Sequence, residues 1–229
     1  MIFDPRYFLF IAPAVLLGLW AQFRIRSAYA QAQQMAAPLS GAAAARHILD
    51  SAGLTSVSIE EIPGQLSDHY DSRDKVLRLS QQVYESRTLA AVGIAAHEAG
   101  HALQDGLAYA PLIIRNAAVP AANIGTGVGG TLVILGMFLH WNPVLIWAGI
   151  ALFSAFVAFQ IVNLPVEFNA SSRAKAQLAQ LGVVSEEEMP YVSKVLSAAA
   201  LTYVAATLQA ILTLLYYVSL VTDSRGRRD

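Results

Sequence analysis

Three stretches of this 229-residue chain contain no Asp, Glu, Lys or Arg: Tyr7 to Phe23 (17 residues), Asn116 to Val166 (51) and Val195 to Thr222 (28). A helix that crosses a bilayer needs roughly 17–25 mostly apolar residues, so the first and last stretches hold one span each. The middle stretch holds two, divided at His140-Trp141-Asn142-Pro143, where an Asn-Pro turn signal sits beside an interfacial aromatic. Four spans are therefore predicted, near residues 7–23, 119–139, 143–164 and 197–221. The average composition, 55% hydrophobic and 14% charged, conceals this division. All 31 charged residues fall in the 133 residues outside those stretches, about 23%, the level of a soluble domain.

A net charge of −1 provides no basic footprint for nucleic acid. The absence of cysteine excludes disulfides, thiolate zinc ribbons, iron–sulfur clusters and a Cys nucleophile, so any metal must rest on His and carboxylate. Ala28-Tyr29-Ala30 imitates a signal-peptide cleavage site, but Asp4 weakens the basic n-region, and Arg24 and Arg26 precede the cut. A retained anchor is the better reading. With the loop after the first span in the cytoplasm, Arg24, Arg26, Arg115, Arg173, Lys175 and Lys194 lie inside, against Arg6, Arg225, Arg227 and Arg228 outside. This count favours an integral protein of a bacterial cytoplasmic membrane with its aqueous unit facing the cytoplasm.

Residues 24–115 are the one segment long enough for a water-exposed unit. Ser40 can cap a helix over Ala42 to Ala52, where Ala45, Ile48 and Leu49 form an apolar stripe and Gly53 is the stop. Val57-Ser58-Ile59 and Val76-Leu77-Arg78-Leu79 read as short strands around the turn signal Pro63-Gly64, the second as an edge strand able to pair with an extended substrate. From Arg87 to about Gly106 the pattern is helical and rich in Ala.

That last helix carries His97-Glu98-Ala99-Gly100-His101, an H-E-x-x-H pattern. At i and i+4 the two imidazoles share one face and can converge on one Zn²⁺, while Glu98 stands beside them as a base for the attacking water. With five His and eight Glu in the chain, the pattern arises by chance in about 0.4% of such sequences. Gly100 inside a helix points to close backbone packing there. Zinc needs a third protein ligand. Glu167 is the best donor: spans 2 and 3 form a hairpin, so the chain returns at residue 166 to the side it left at residue 115. Pro165 is expected to end the third span and open a new helix. Asp105 and Glu85 are the next candidates, although Asp105 would have to bend back along a rigid helix.

These residues resemble the bacterial membrane neutral zinc metallopeptidases of the YugP-like group over nearly the whole chain. The likeness resides in Gly64-Gln65-Leu66-Ser67-Asp68-His69-Tyr70-Asp71, Val76 to Ser80, Ala95 to Gln104 and Leu164 to Ser171. It implies zinc bound by His97, His101 and Glu167, with Glu98 catalytic. The order of motif, two spans and Glu is also similar, more distantly, to the HtpX heat-shock proteases and the CAAX-processing membrane proteases. Those families carry an Asp four residues after the ligand Glu, where this chain has Ser171, with Asn169 nearby. The motif also resembles that of the FtsH proteases, but no P-loop is present, so no nucleotide is expected.

His69 can serve as an oxyanion donor or as part of a structural turn, and Arg173 can orient a substrate carboxylate or snorkel at the membrane surface. Gly125-Thr126-Gly127-Val128-Gly129-Gly130 matches a dinucleotide fingerprint, but inside a span it reads as a small-xxx-small packing surface. The expected fold is a mostly α membrane protein. It has four spans and a small α+β zincin-like unit (residues 24–115 plus 166–194) at one membrane face, together a single peptidase domain. The expected activity is peptide-bond hydrolysis with one Zn²⁺ per chain, on a polypeptide substrate in or near the bilayer. The alternatives are a non-catalytic scaffold with structural zinc, or a site-2-type intramembrane protease. Against the latter, Glu98 lies in the motif interval and no later span holds a second-ligand Asp.

Overall fold

A computed structural model describes residues 5–65 and 67–225. Asp4, Leu66, Arg227 and Arg228, used above, lie outside the described residues, as does the side chain of Arg225. The described elements are α1 (Pro5–Gln33), α2 (Gly41–Ser51), β1 (Ser58–Ile62), β2 (His69–Asp71), β3 (Val76–Ser80), α3 (Gln81–Glu85), α4 (Leu89–Gly106) and α5 (Ala110–Ile124). A π-helical turn (Gly125–Gly129) then leads into α6 (Gly130–Phe138), α7 (Pro143–Gln180) and α8 (Met189–Arg225). They divide into two compact units, residues 1–20, 114–164 and 202–229 in the first, residues 21–113 and 165–201 in the second.

In the first unit the helices are apolar on nearly all sides. Among the described residues, four helices are long and apolar enough to cross a membrane: Pro5–Gln33, Ala110–Phe138, Pro143–Gln180 and Met189–Thr222. Leu9, Leu16, Leu19, Phe138 and Val144 remain exposed, a surface that suits lipid and not water. Where α5–α6 meets α7, small residues allow backbone contact. A Cβ on Gly129 would stand 2.9 Å from Phe153 N, and one on Gly149 2.6 Å from the Gly129 carbonyl. The glycine run is thus a helix-packing surface, as its place in a span predicts. Asn142 accepts from Val144 N at 3.0 Å and opens α7 at the predicted Asn-Pro turn.

The second unit is an α+β unit around one core. Ser40 caps α2 by accepting from Ala43 N at 3.3 Å, and Thr88 caps α4 by accepting from Ala91 N at 3.3 Å. Ile48 and Leu49 of α2, Leu77 and Leu79 of β3, and Val92, Ala95, Ala96 and Ala99 of α4 are fully buried together. Ala28 and Ala32 join that core, so the cleavage-like Ala28-Tyr29-Ala30 lies within helix α1, packed into the unit. Backbone bonds from Leu89 N to Met35 O and from Ala37 N to Arg87 O tie the end of α1 to the start of α4.

The sheet has the order β1-β3-β2, with β1 parallel and β2 antiparallel to β3. The expected edge at Val76 to Leu79 is therefore the centre. Its composition explains the placement: Val76, Leu77, Leu79 and Ser80 are buried, as suits a strand covered on both sides, whereas β1 and β2 carry the exposed carboxylates and histidine. The break expected at Pro165 is also absent, because α7 runs unbroken from Pro143 to Gln180. Proline removes one bond, to the Ile161 carbonyl, but the stripe Val166, Ala170, Ala174 and Leu178 continues fully buried beyond it. Packing outweighs that single loss.

The stripe is where α4 meets α7. A Cβ on Gly100 would lie 2.6 Å from the carbonyl oxygen of Ala170, too close for any side chain. Gly100→Val is expected to force the helices apart and destabilise the protein by about 1–3 kcal/mol, as overpacking does. Thermal unfolding in detergent checks this, and an unchanged melting temperature would contradict the close crossing.

Candidate metal centre

The two helices that cross at Gly100 bring three possible ligands together. On α4, one helical turn puts His97 and His101 side by side, ring centroids 4.8 Å apart and planes at 84°. From α7, Glu167 enters with a side chain only 4% exposed; its Oε2 lies 3.3 Å from His97 Nε2 and 3.8 Å from His101 Nε2. All three candidate ligand atoms fall within 4.8 Å of one another. Tetrahedral zinc, with bonds of ~2.0–2.1 Å, sets its ligand atoms about 3.3 Å apart, so two imidazole nitrogens and one carboxylate oxygen fit such an ion with little adjustment.

Around these three, each imidazole meets a neutral partner at its other nitrogen. Ser171 Oγ lies 3.1 Å from His97 Nδ1, in the place where the more distant families carry Asp. His101 Nδ1 lies 3.0 Å from Gln104 Oε1. Gln104, 0% exposed, donates through Nε2 to the Val166 carbonyl at 2.8 Å and to Asn169 Oδ1 at 3.1 Å. Arg173 Nε donates to the same Asn169 oxygen at 2.7 Å, with its guanidinium over the Tyr109 ring. Arg173 thus serves the polar network of the unit, a third use beside the two considered for it.

Glu98 sits beside the histidines, half-buried. Its Oε2 accepts from the Tyr70 N–H of β2 at 3.1 Å. Burial pushes its carboxyl up to about 7, Glu167 and Asp68 adding to the rise while His97 and the Tyr70 bond oppose it. For His97, burial disfavours the charged ring, but the bond to Glu167 and the charges of Glu98 and Glu167 outweigh it and raise the pKa. A metal ligates the neutral ring, so protons compete with a metal for His97.

β2 is itself held on both sides. Tyr70 Oη donates to Asp105 Oδ2 at 2.7 Å, and Lys75 Nζ donates to the same oxygen. Asp105 is therefore engaged away from the three candidate ligands, and Glu85 is exposed at the end of α3. His69 is exposed, its Nδ1–H donating to the Ser67 carbonyl at 2.7 Å, an arrangement that fits the turn reading. Asp68 accepts from Ser80 N at 2.8 Å and from Ser80 Oγ, joining the entry of β2 to the end of β3. Gln104, the Tyr70 amide and Asp68 escaped sequence reasoning as parts of the site. Only Gln104 left a signal, an amide at i+3 from His101 on the helix face that carries both histidines.

Comparison with known proteins agrees in class. The chain belongs to the family described as "Putative neutral zinc metallopeptidase", whose model matches residues 7–222. It is similar to the "Putative membrane protease YugP" of Bacillus subtilis (strain 168), 45% identical over 221 residues that cover 95% of this chain and 98% of that protein. No solved structure matches significantly.

The pairing of β2 with β3 has a pH sign. Arg78 NH1 donates to Asp71 Oδ2 at 2.8 Å, and this bond, with the Arg73 amide, holds the Asp71 carboxyl below the usual carboxylate range. Its contribution is complete above the unfolded pKa of about 3.9 and is lost as pH falls through the lower folded value. Amide exchange at Asp71, which pairs with Val76 of β3, corrected for its intrinsic rate, is expected to speed up below about pH 4. In Arg78→Ala it should already be fast at neutral pH; equal protection in both proteins would refute the clamp.

Proposed function

We propose that this chain is a zinc-dependent, membrane-integrated peptidase that hydrolyses peptide bonds, with one Zn²⁺ held by His97, His101 and Glu167 and with Glu98 as general base. The observation that carries this reading is the convergence of two imidazoles and a buried carboxylate beside a second carboxylate whose proton affinity lies near neutrality. A zinc ion bound there would polarise the scissile carbonyl and lower the pKa of the attacking water towards 7.

The remaining work belongs to the protein's own groups. Glu98 takes a proton from the attacking water and passes it to the leaving amine, which needs a group whose affinity for protons suits both directions. The bond from Tyr70 N–H fixes the orientation of its carboxylate relative to β2. β2 is an edge of the sheet, and an extended polypeptide that paired with it beside Glu98 would take over the Tyr70 N–H that Glu98 holds. That favours polypeptides over small esters as substrates. In this reading the whole chain is one peptidase domain, with its catalytic unit at one membrane face. The excess of Lys and Arg at Arg24, Arg26, Arg115, Arg173, Lys175 and Lys194 supports a cytoplasmic catalytic side.

Two variants test the assignment in membranes from cells that carry the full chain. Glu98→Gln is expected to keep its zinc and lose about 10²–10⁴-fold in proteolytic rate, the usual contribution of a general base. A scaffold with structural zinc would instead behave as wild type in both respects. Glu167→Ala is expected to lose zinc, measured by metal analysis of the purified protein; undiminished stoichiometric zinc would remove Glu167 from the ligand set.

A further inference from the structure

We infer that Gln104 is a positioning residue of this centre: it sets the tautomer of His101 by reading the backbone of α7. The inference rests on the metal-centre reading above and deepens it. Its logic runs through donors and acceptors. The Val166 carbonyl can only accept, so the amide end of Gln104 that faces it at 2.8 Å must be the nitrogen. Asn169 Oδ1 agrees, because it takes a bond from Arg173 Nε, which has no acceptor capacity, and is therefore an oxygen facing Gln104 Nε2 at 3.1 Å.

With the nitrogen end committed to α7, Gln104 Oε1 is the atom that faces His101 Nδ1 at 3.0 Å. An amide oxygen only accepts, so the hydrogen of the neutral ring must sit on Nδ1. The lone pair is then on Nε2, the atom 3.8 Å from Glu167 Oε2. The opposite tautomer would set two lone pairs against each other where Gln104 is 0% exposed and no water can intervene. His97 has no such constraint, since the Ser171 hydroxyl at its Nδ1 can donate or accept. One side chain thus links the metal-ready form of a histidine on α4 to the stretch of α7 that carries Glu167.

The test uses the full chain in lipid nanodiscs. Histidine-selective ¹⁵N labelling of the zinc-free protein, at alkaline pH, is expected to show His101 protonated on Nδ1; an Nε2–H ring overturns the inference without any variant. Zinc titration against a competing chelator is expected to show Gln104→Leu binding Zn²⁺ about 10–100-fold more weakly than wild type. Gln104→Glu keeps an acceptor for His101 but, unless protonated, sets a second oxygen against the Val166 carbonyl, so it should bind Zn²⁺ more weakly than wild type and more tightly than Gln104→Leu. A mere packing role predicts the reverse order, because a buried site tolerates Leu better than Glu, and that order would overturn the proposal. If the wild type binds no zinc, the metal-centre reading fails, and the tautomer measurement still decides the role of Gln104.

Discussion

Everything the site can do depends on how closely α4 and α7 cross. Gly100 and the Ala170 carbonyl approach so nearly that one added carbon would collide, and this distance decides how far Glu167 reaches towards His97 and His101. The side chains at a helix crossing set how far apart the two axes sit, and a larger residue at Gly100 would draw Glu167 back from the histidines. The small residues of α4, Ala95, Ala96, Ala99 and Ala102, serve the same end on its other faces. They are fully buried, contribute little apolar area each, and allow neighbouring elements to come near.

A close crossing also removes water, and the buried polar groups must then find partners within the protein. Gln104 meets this requirement for both helices at once, through a ring nitrogen on one side and a backbone carbonyl on the other. Around the histidines the partners are an amide and a hydroxyl, both neutral. The charged groups nearby, Lys75 with Asp105 and Arg78 with Asp71, instead act on the frame, pinning β2 where its Tyr70 amide meets Glu98. Carboxylates of the second unit thus divide between the candidate metal centre and scaffolding according to what faces them.

Much of this arrangement was legible in the chain. Charge-free stretches report membrane spans directly, because a buried charge in lipid is costly wherever it falls. The H-E-x-x-H spacing reports one helical face, because the period of the helix is fixed. The expectations that failed concern competition between local and distant terms. Pro165 reads as a helix end from its missing N–H, yet a buried stripe on the far side holds α7 together. Val76 to Leu79 reads as an edge from its place after a turn, yet β1 and β2 both pair with it. β2 itself, three residues of His, Tyr and Asp, has no strand-like pattern and exists only because β3 and α4 lie beside it.

What the sequence determined by itself, then, is the set of local facts: four apolar helices, a pair of histidines one turn apart, a carboxylate beside them, and a glycine that needs an explanation. Each follows from covalent geometry or from solvation, which act on neighbouring residues without reference to the fold. Tertiary structure alone decided how closely Glu167 approaches the histidines, which way their rings are held, and which strand amide bonds Glu98. Those depend on contacts between residues some 28 to 74 positions apart, and no periodicity encodes the distance at which two helices finally pack.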